Sequence, residues 1–530
     1  MNGLAVILLI AAAGFGIARW SRMSVIPVLI LAGSLAAALG WLPQDEVLAD
    51  AFELALAFLV FSAGMELNPE RFRKHLGAVL WVGTAQFVGV AAAGFLLAKL
   101  LGFEDVPAAY LALALSTSST LVVVQHLKQQ QQLFEPFGRL VLGVLLLQDV
   151  VMILIIVTVG RWPQGAWPVL QGLGTVGGLA AMAVGCQQWL MPWVIRRLRP
   201  DEETLLLLVL ALLFVFVSAA HLTGVSPVAG AFFAGFALAR FPVNGVARGQ
   251  LLSFNDFFQA IFFTALGGLV VVSSPAMLLQ AAVLAFGVWW VTPPLVGAVA
   301  EWRGMTTRPA LESGLLLAQT SEFALVLGFT GTQVLEQIPG EVFSLMAMVA
   351  VLTMTLTPFV ATDRFTTLLL HLHPRRRRGQ ATGSRRGHVL MLGFGAGGMW
   401  MMKPVAQAGH DVLVVDDDPA VIEQLEAKGI PCLRGDGSDE HLLARAGARE
   451  AKLILVSMRR VQDARRVLDF ARQVPVVVRV FEETEAVVVR RSGGIPVLNS
   501  EAAADTFMEW FGQTIHPQDA ERTERASPVT

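Results

Sequence analysis

Thirteen apolar runs fill residues 1–361, and they constrain this chain more than any other feature. They lie near 3–18, 24–42, 51–66, 76–98, 106–126, 138–160, 168–194, 204–220, 223–239, 257–273, 276–300, 309–331 and 341–361. A helix needs roughly 20 apolar residues to cross a bilayer. Lipid also requires each segment to satisfy its own backbone N–H and C=O groups, which a helix does. The runs therefore predict a polytopic α-helical membrane domain. A wholly soluble chain is excluded by composition: 55% of the 530 residues are hydrophobic and 15% are charged, against about 25% charged in an ordinary soluble domain. No basic stretch precedes the first run, so it reads as a retained helix rather than a cleaved signal.

Only 16 Lys and Arg occur in residues 1–361, and they are sorted by side. Loops after odd-numbered runs hold fourteen of them, including Arg71, Arg73, Lys74, Arg196 and Arg197; loops after even-numbered runs hold Lys99 and Arg161. Positively charged loops stay in the cytoplasm. This places the N-terminus outside and everything after the last run in the cytoplasm of a cell with the protein in its inner membrane, surrounded by lipid. Trp20, Trp41, Trp162, Trp167, Trp193 and Trp302 fall near run ends, where an aromatic belt belongs. Cys186 and Cys432 lie far apart and form neither a disulfide framework nor a metal-ligand pattern. Nothing in the charge pattern calls for a nucleic-acid partner.

Composition changes at "HPRRRRGQATGSRRGH". Residues 363–387 read as a basic linker that ends the membrane domain of residues 1–362. A second domain, 388–513, opens on "HVLMLGFGAGGMWMMKPVAQAGHDVLVVDDDP". An apolar strand leads directly into Gly393-x-Gly395-x-x-Gly398, a helix-length segment follows, and a second strand ends in Asp416. Gly393 suits a tight turn, Gly395 admits a pyrophosphate close to the backbone, and Gly398 permits close helix–strand packing. The helix N-terminus offers N–H groups to phosphate, and Asp416 is spaced to accept from a ribose hydroxyl. Further apolar runs at "PCLRG", "KLILVSM", "VVVRVF" and "PVLNS" bring the strands to six. Alternation with helices predicts a parallel, doubly wound, Rossmann-like sheet. Residues 514–530 are polar and read as a disordered tail.

Acids are scarce inside the apolar runs. Asp149 lies mid-run in "VLGVLLLQDVVMILIIV", next to Gln148; Glu322 lies in the twelfth run and Glu53 near the start of the third. A carboxylate at a helix centre costs roughly 2.5–3.5 kcal/mol to insert, so such residues mark ion or proton routes. No Lys or Arg occurs in the tenth or eleventh run to neutralise Asp149. A bare acid there favours occupation by a proton or a cation. The fifth run carries five successive hydroxyls, Ser116 to Thr120. In a regular helix they would bond back to the preceding turn; in an unwound one, Thr117, Ser118 and Ser119 with freed carbonyls become cation ligands, as in discontinuous transporter helices. The twelfth run echoes this in Gln319, Thr320 and Ser321, which align with Ser116 to Ser118 at an offset of 203. On a regular helix, Gln319 and Glu322 would share a face.

These features together resemble the Kef-type branch of the monovalent cation:proton antiporter-2 family. The resemblance rests on the Gln148–Asp149 pair, where other antiporters have Asp-Asp or Asn-Asp. It extends through "FELALAFLVFSAGMELNPE", "ALALSTSSTLVVVQHL", "GVSPVAGAFFAGFALA", "FFTALGGLV", "LAQTSEFALVLG", and the tail from "VLMLGFGAGG" to "GDGSDEHLLARAGA". It implies an inverted-repeat antiporter fold of about thirteen spans, a homodimer, and exchange of K+ or Na+ for H+ by an elevator-like motion, with no enzymatic reaction. It assigns Asp149 as the ion-binding acid, with Gln148 beside it and Thr117, Ser118 and Ser119 in the crossover of the fifth and twelfth runs; Gln319 and Glu322 of the twelfth run complete the candidate ion-binding set. The tail resembles the TrkA-N lobe of regulator-of-K+-conductance domains. There the resemblance implies regulation by an adenine nucleotide (AMP, NAD(H) or ATP) held by Gly393, Gly395, Gly398, Asp416 and Asp436. Glutathione-gated members carry an acidic loop where "RFPVNGVARGQLLSF", residues 240–254, has two arginines and no acid. The alternatives are a nucleotide-gated K+ channel, whose filter would need a TVGYG-like loop absent from the sequence, and a glutathione-gated efflux system.

Overall fold

Every one of the thirteen apolar runs is helical in the computed structural model, which describes the chain from Asn2 to Leu498 apart from short intervals, the longest being 67–75, 371–385 and 395–404. Among the described residues, eight helical segments are long and apolar enough to cross a membrane and five apolar helices are shorter. The chain divides into two units, Met1–Arg303 with Pro309–Leu369, and Gly304–Arg308 with Leu370–Thr530.

The first unit is all helical. Its elements are α1 (Asn2–Ser21), α2 (Val25–Ala38), α3 (Glu46–Glu66), α4 (Leu76–Leu100), α5 (Asp105–Leu115), α6 (Thr120–Gln129), α7 (Pro136–Arg161) and α8 (Ala166–Gly185). A single π turn, Cys186–Leu190, joins α8 to α9 (Met191–Leu198). Then come α10 (Glu202–Leu222), α11 (Pro227–Ala237), α12 (Val243–Leu269), α13 (Pro275–Trp302), α14 (Thr307–Leu317), α15 (Glu322–Phe329) and α16 (Gly340–Val360). One set of helices, α1–α3 with α10–α12, packs mainly within itself; α4–α7, α13, α15 and α16 form another, joined by α14, whose Gly314 lies against Pro293 of α13.

Small residues set the first packing. A Cβ on Gly235 of α11 would sit 2.0 Å from the Phe61 carbonyl oxygen of α3, and one on Gly64 of α3 would sit 2.3 Å from that of Phe232. The pair Gly33 and Gly267 does the same for α2 and α12, at 2.0 and 2.1 Å. Between apolar helices in lipid, close backbone approach of this kind is the main source of attraction.

The second set contains a repeat. α5 and α14 begin and end 202 residues apart, as do the starts of α6 and α15. Each pair is one membrane-length segment interrupted by four non-helical residues, 116–119 and 318–321. The sequence echo is thus real but its register is 202, not 203: Ser118 corresponds to Thr320 and Thr120 to Glu322. The hydroxyl pattern alone favoured aligning the polar clusters by composition; the helix ends correct it by one residue.

The second unit carries a six-stranded sheet: β1 (Val389–Leu392), β2 (Val412–Asp416), β3 (Cys432–Arg434), β4 (Leu453–Val456), β5 (Val476–Val480) and β6 (Ile495–Leu498). All pairings are parallel, in the order β3-β2-β1-β4-β5-β6. Helices α17 (Pro419–Ala427), α18 (Glu440–Arg445), α19 (Val461–Phe470) and α20 (Glu483–Arg491) alternate with the strands. All four residues of β1 are buried, as expected of a central strand covered on both faces. Strand order reverses between β1 and β4, and ligands of such sheets bind beyond the carboxyl ends at that switch point. The acid-free segment 240–254, expected as a loop, is helical from Val243 onward as the start of α12, though its side chains are not described; most of the basic linker and the polar tail lie outside the described residues.

Candidate functional site

The site of the helical unit is built where its two helices break. Past the end of α5, Ser116 and Thr117 turn their hydroxyls back onto its last turn, to the carbonyls of Leu113 (2.8 Å) and Ala114 (3.1 Å). α6 restarts at Ser119, an N-cap whose Oγ accepts from the Val122 N–H at 3.4 Å. The second break has the same construction: Ser321 caps α15 by accepting from Phe323 N–H at 3.1 Å. Capping hydroxyls of this kind satisfy orphan N–H groups at a helix start.

A neighbouring long helix steadies each break. The Ser118 N–H donates to Gln148 Oε1 of α7 at 3.0 Å. In the other repeat, the Thr320 N–H donates to Thr353 Oγ1 of α16 at 3.0 Å. The breaks are also tied to each other. Ser118 Oγ donates to the Leu317 carbonyl at 2.7 Å, and Gln319 Nε2 donates to the Ser119 carbonyl at 3.4 Å. Gln319 lies in the break, not on a helix, so the expected shared helical face with Glu322 does not exist. Unwinding brings the two residues to the crossing by another route.

Asp149 is 1% exposed while Val150 beside it is 36% exposed. The carboxylate therefore faces the protein interior and not lipid. Thr120, the first residue of α6, donates to Asp149 Oδ2 at 3.1 Å. Glu322, the equivalent first residue of α15, is 2% exposed and lies beside Ser119 and Ser321. Three buried oxygens around the second break, Gln319 Oε1, Thr320 Oγ1 and Glu322 Oε2, have no hydrogen-bond partner in the protein. Buried polar atoms ordinarily find a partner, so each of these oxygens has an acceptor position open to a proton, a water or a cation. Glu53 is exposed on α3 and takes no part.

Three contributing residues were not singled out from sequence. Thr120 lay in the hydroxyl run but outside the ligand group selected from it. Gln86 of α4 is 1% exposed and donates from Nε2 to the Ser116 carbonyl at 3.2 Å; a lone amide in an otherwise apolar run was its only signal. Thr353 carried none, since a threonine bonding back to Val349 and Ala350 looks like any other helical threonine.

In the sheet unit, Gly393 follows β1 with φ +81°, the left-handed region that favours glycine. Its N–H donates to the Val415 carbonyl at 2.8 Å. Asp416, 7% exposed at the end of β2, accepts from Phe394 N–H at 2.6 Å and Asp418 N–H at 2.9 Å. The acid expected to meet a ribose thus also shapes the first turn of the glycine loop. Gly395 and Gly398 lie outside the described residues. Asp436 accepts from both the N–H and the hydroxyl of Ser438, each at 2.8 Å. Near the sheet edge, burial followed by the charge of Glu426 pushes the Cys432 thiol above its ordinary range.

Comparison with known proteins agrees with this architecture. Residues 5–362 match the family "Sodium/hydrogen exchanger, transmembrane", and residues 389–500 match the TrkA-N domain. The chain is 25% identical over 525 residues to the putative cation/proton antiporter YbaL of Escherichia coli (strain K12), covering 92% of this chain and 93% of that protein. It is 26% identical over 424 residues to the glutathione-regulated potassium-efflux system protein KefC of Salmonella paratyphi B, covering 76% of this chain and 66% of that protein. The sodium proton antiporter MjNhaP1 from Methanocaldococcus jannaschii superposes on 69% of this chain and 97% of its own, with a TM-score of 0.56 and 15% identity, a likeness of fold. With two broken helices crossing at buried acids and a Rossmann-like sheet behind them in sequence, the chain belongs to the transmembrane sodium/hydrogen exchanger family and is a cation/proton antiporter with a TrkA-N regulatory domain.

Proposed function

We propose that the protein exchanges K+, or Na+, for H+ across the inner membrane, one for one, as a homodimer whose TrkA-N domain lies in the cytoplasm and responds to an adenine nucleotide. The reading is carried by one observation: the Asp149 carboxylate is wholly enclosed at the crossing of two broken helices and receives a hydroxyl from Thr120. An enclosed acid of this kind holds either a proton or a metal ion, and the two compete for it. Hydroxyl, amide and carboxyl oxygens suit an alkali cation shed of part of its water. One exchanging carboxylate per protomer moves one charge in each direction, so flux is independent of membrane potential.

The choice of K+ draws on the relatives named as potassium-efflux systems. Their glutathione regulation is not part of the proposal, because segment 240–254 has no acid. The nucleotide assignment draws on the Gly393 turn and on Asp416 at the switch point of the sheet; binding acts only to the extent that affinity differs between transport states.

Proton flux in proteoliposomes, measured across a series of alkali cations, tests the reading. Wild type should acidify or alkalinise the lumen in response to K+ gradients without an imposed potential, and Asp149→Asn should not. Normal transport by Asp149→Asn, or steep dependence on potential, overturns it.

A further inference from the structure

Two buried amides bracket the first helix break. Gln86 Nε2 of α4 donates to the Ser116 carbonyl, and Gln86 Oε1 accepts from Gln148 Nε2 of α7. Gln148 Oε1 in turn accepts from the Ser118 N–H. The result is a closed circuit running from one end of the break, through two side chains, to the other. Both glutamines are 1% exposed. Each amide has one donor and one acceptor committed, and neither can rotate by half a turn without placing N–H against N–H or oxygen against oxygen. The close passage of α4 and α7 makes the circuit possible: one turn before Gln86, a Cβ on Gly83 would sit 2.7 Å from Leu147 Cδ2.

Gln148 immediately precedes Asp149. Fixing its amide fixes the orientation of the α7 turn that carries the carboxylate, and fixes the Ser116–Ser119 segment whose next residue, Thr120, bonds that carboxylate. We infer that Gln86 is a positioning residue for cation exchange: acting through Gln148, it holds the broken helix at the separation from Asp149 that a cation requires. Gln148 on this view serves as a brace and not as a ligand, its amide oxygen already engaged by a backbone N–H. The inference rests on the assignment of Asp149 as the exchange site.

The experiment uses the full chain in proteoliposomes, with K+-driven proton flux measured over a range of K+ concentrations. Asp149→Asn is run in parallel and reports on the exchange site alone: if it transports normally, the parent assignment fails whatever Gln86 does. Gln86→Met removes both hydrogen bonds at nearly constant volume. With one or two buried bonds lost, the K+ concentration for half-maximal flux should rise by about tenfold, with maximal flux changed little. Gln86→Glu keeps an acceptor for Gln148 Nε2 but sets a carboxyl oxygen against the Ser116 carbonyl, so it should recover only part of the wild-type half-saturation. Gln86→Met and Gln148→Met should be non-additive, the double variant no worse than Gln148→Met alone. Unchanged half-saturation in Gln86→Met overturns the inference. So do additive effects of the two changes, or a loss confined to maximal flux. Should Gln86→Met fail to assemble, the same decision falls to Gln86→Glu combined with Gln148→Met, where additivity is again the overturning result.

Discussion

At the scale of single residues, the break separates hydroxyls that look alike in sequence. Thr117 returns its proton to the Ala114 carbonyl, whereas Thr120 reaches Asp149. Thr120→Val should therefore weaken K+ half-saturation by about tenfold, the scale of one charge-assisted bond, while Thr117→Val should leave it near wild type. Equal effects in K+ titrations of proteoliposomes would contradict this geometry. Cys432 offers a check in the sheet unit. A thiol pushed up by burial and by Glu426 is less ionised at pH 8 than a free cysteine, and only the thiolate reacts. Alkylation timed by mass spectrometry should be slower than for a free thiol. Glu426→Gln should quicken it in part, since burial is the larger cause.

At the scale of elements, the glycine contacts carry the sharpest expectation. Gly235→Val should lower the thermal midpoint in detergent, at a cost near the upper end of the roughly 1–3 kcal/mol typical of overpacking, because the new Cβ meets the Phe61 backbone rather than a side chain that can turn away. Gly178→Ala on α8, with open space around it, should change the midpoint little. The helices themselves were legible, because apolar length is a property of the local chain. So were the six strands, each a short apolar run between turn residues, and Gly393, whose positive φ follows from its place after β1. The breaks were legible only as possibilities, since a run of hydroxyls is compatible with an unbroken helix. What decided them was tertiary: Gln86, Gln148 and Thr353 come from other helices, and no spacing in the sequence relates Gln86 to Ser116. The one-residue error in the repeat arose the same way, from matching side-chain polarity where the backbone caps were the true landmarks.

At the scale of the whole molecule, the two units invite separate measurements. If the switch point beside Gly393 and Asp416 holds an adenine nucleotide, adding AMP, NADH or ATP to the full chain should raise the thermal midpoint with saturable dose dependence. Asp416→Asn should abolish the rise for at least one of the three; no response to any of them would count against the site. In the helical unit, the bonds from Ser118 to the Leu317 carbonyl and from Gln319 to the Ser119 carbonyl lock the two interrupted helices together like the halves of a buckle. A half-helix that swung aside by itself would have to break both bonds. If ions exchange at Asp149 as proposed, release toward one face or the other would call for the fastened block to slide past the glycine-packed panel of α2, α3, α11 and α12, and turnover would be limited by friction in that seam.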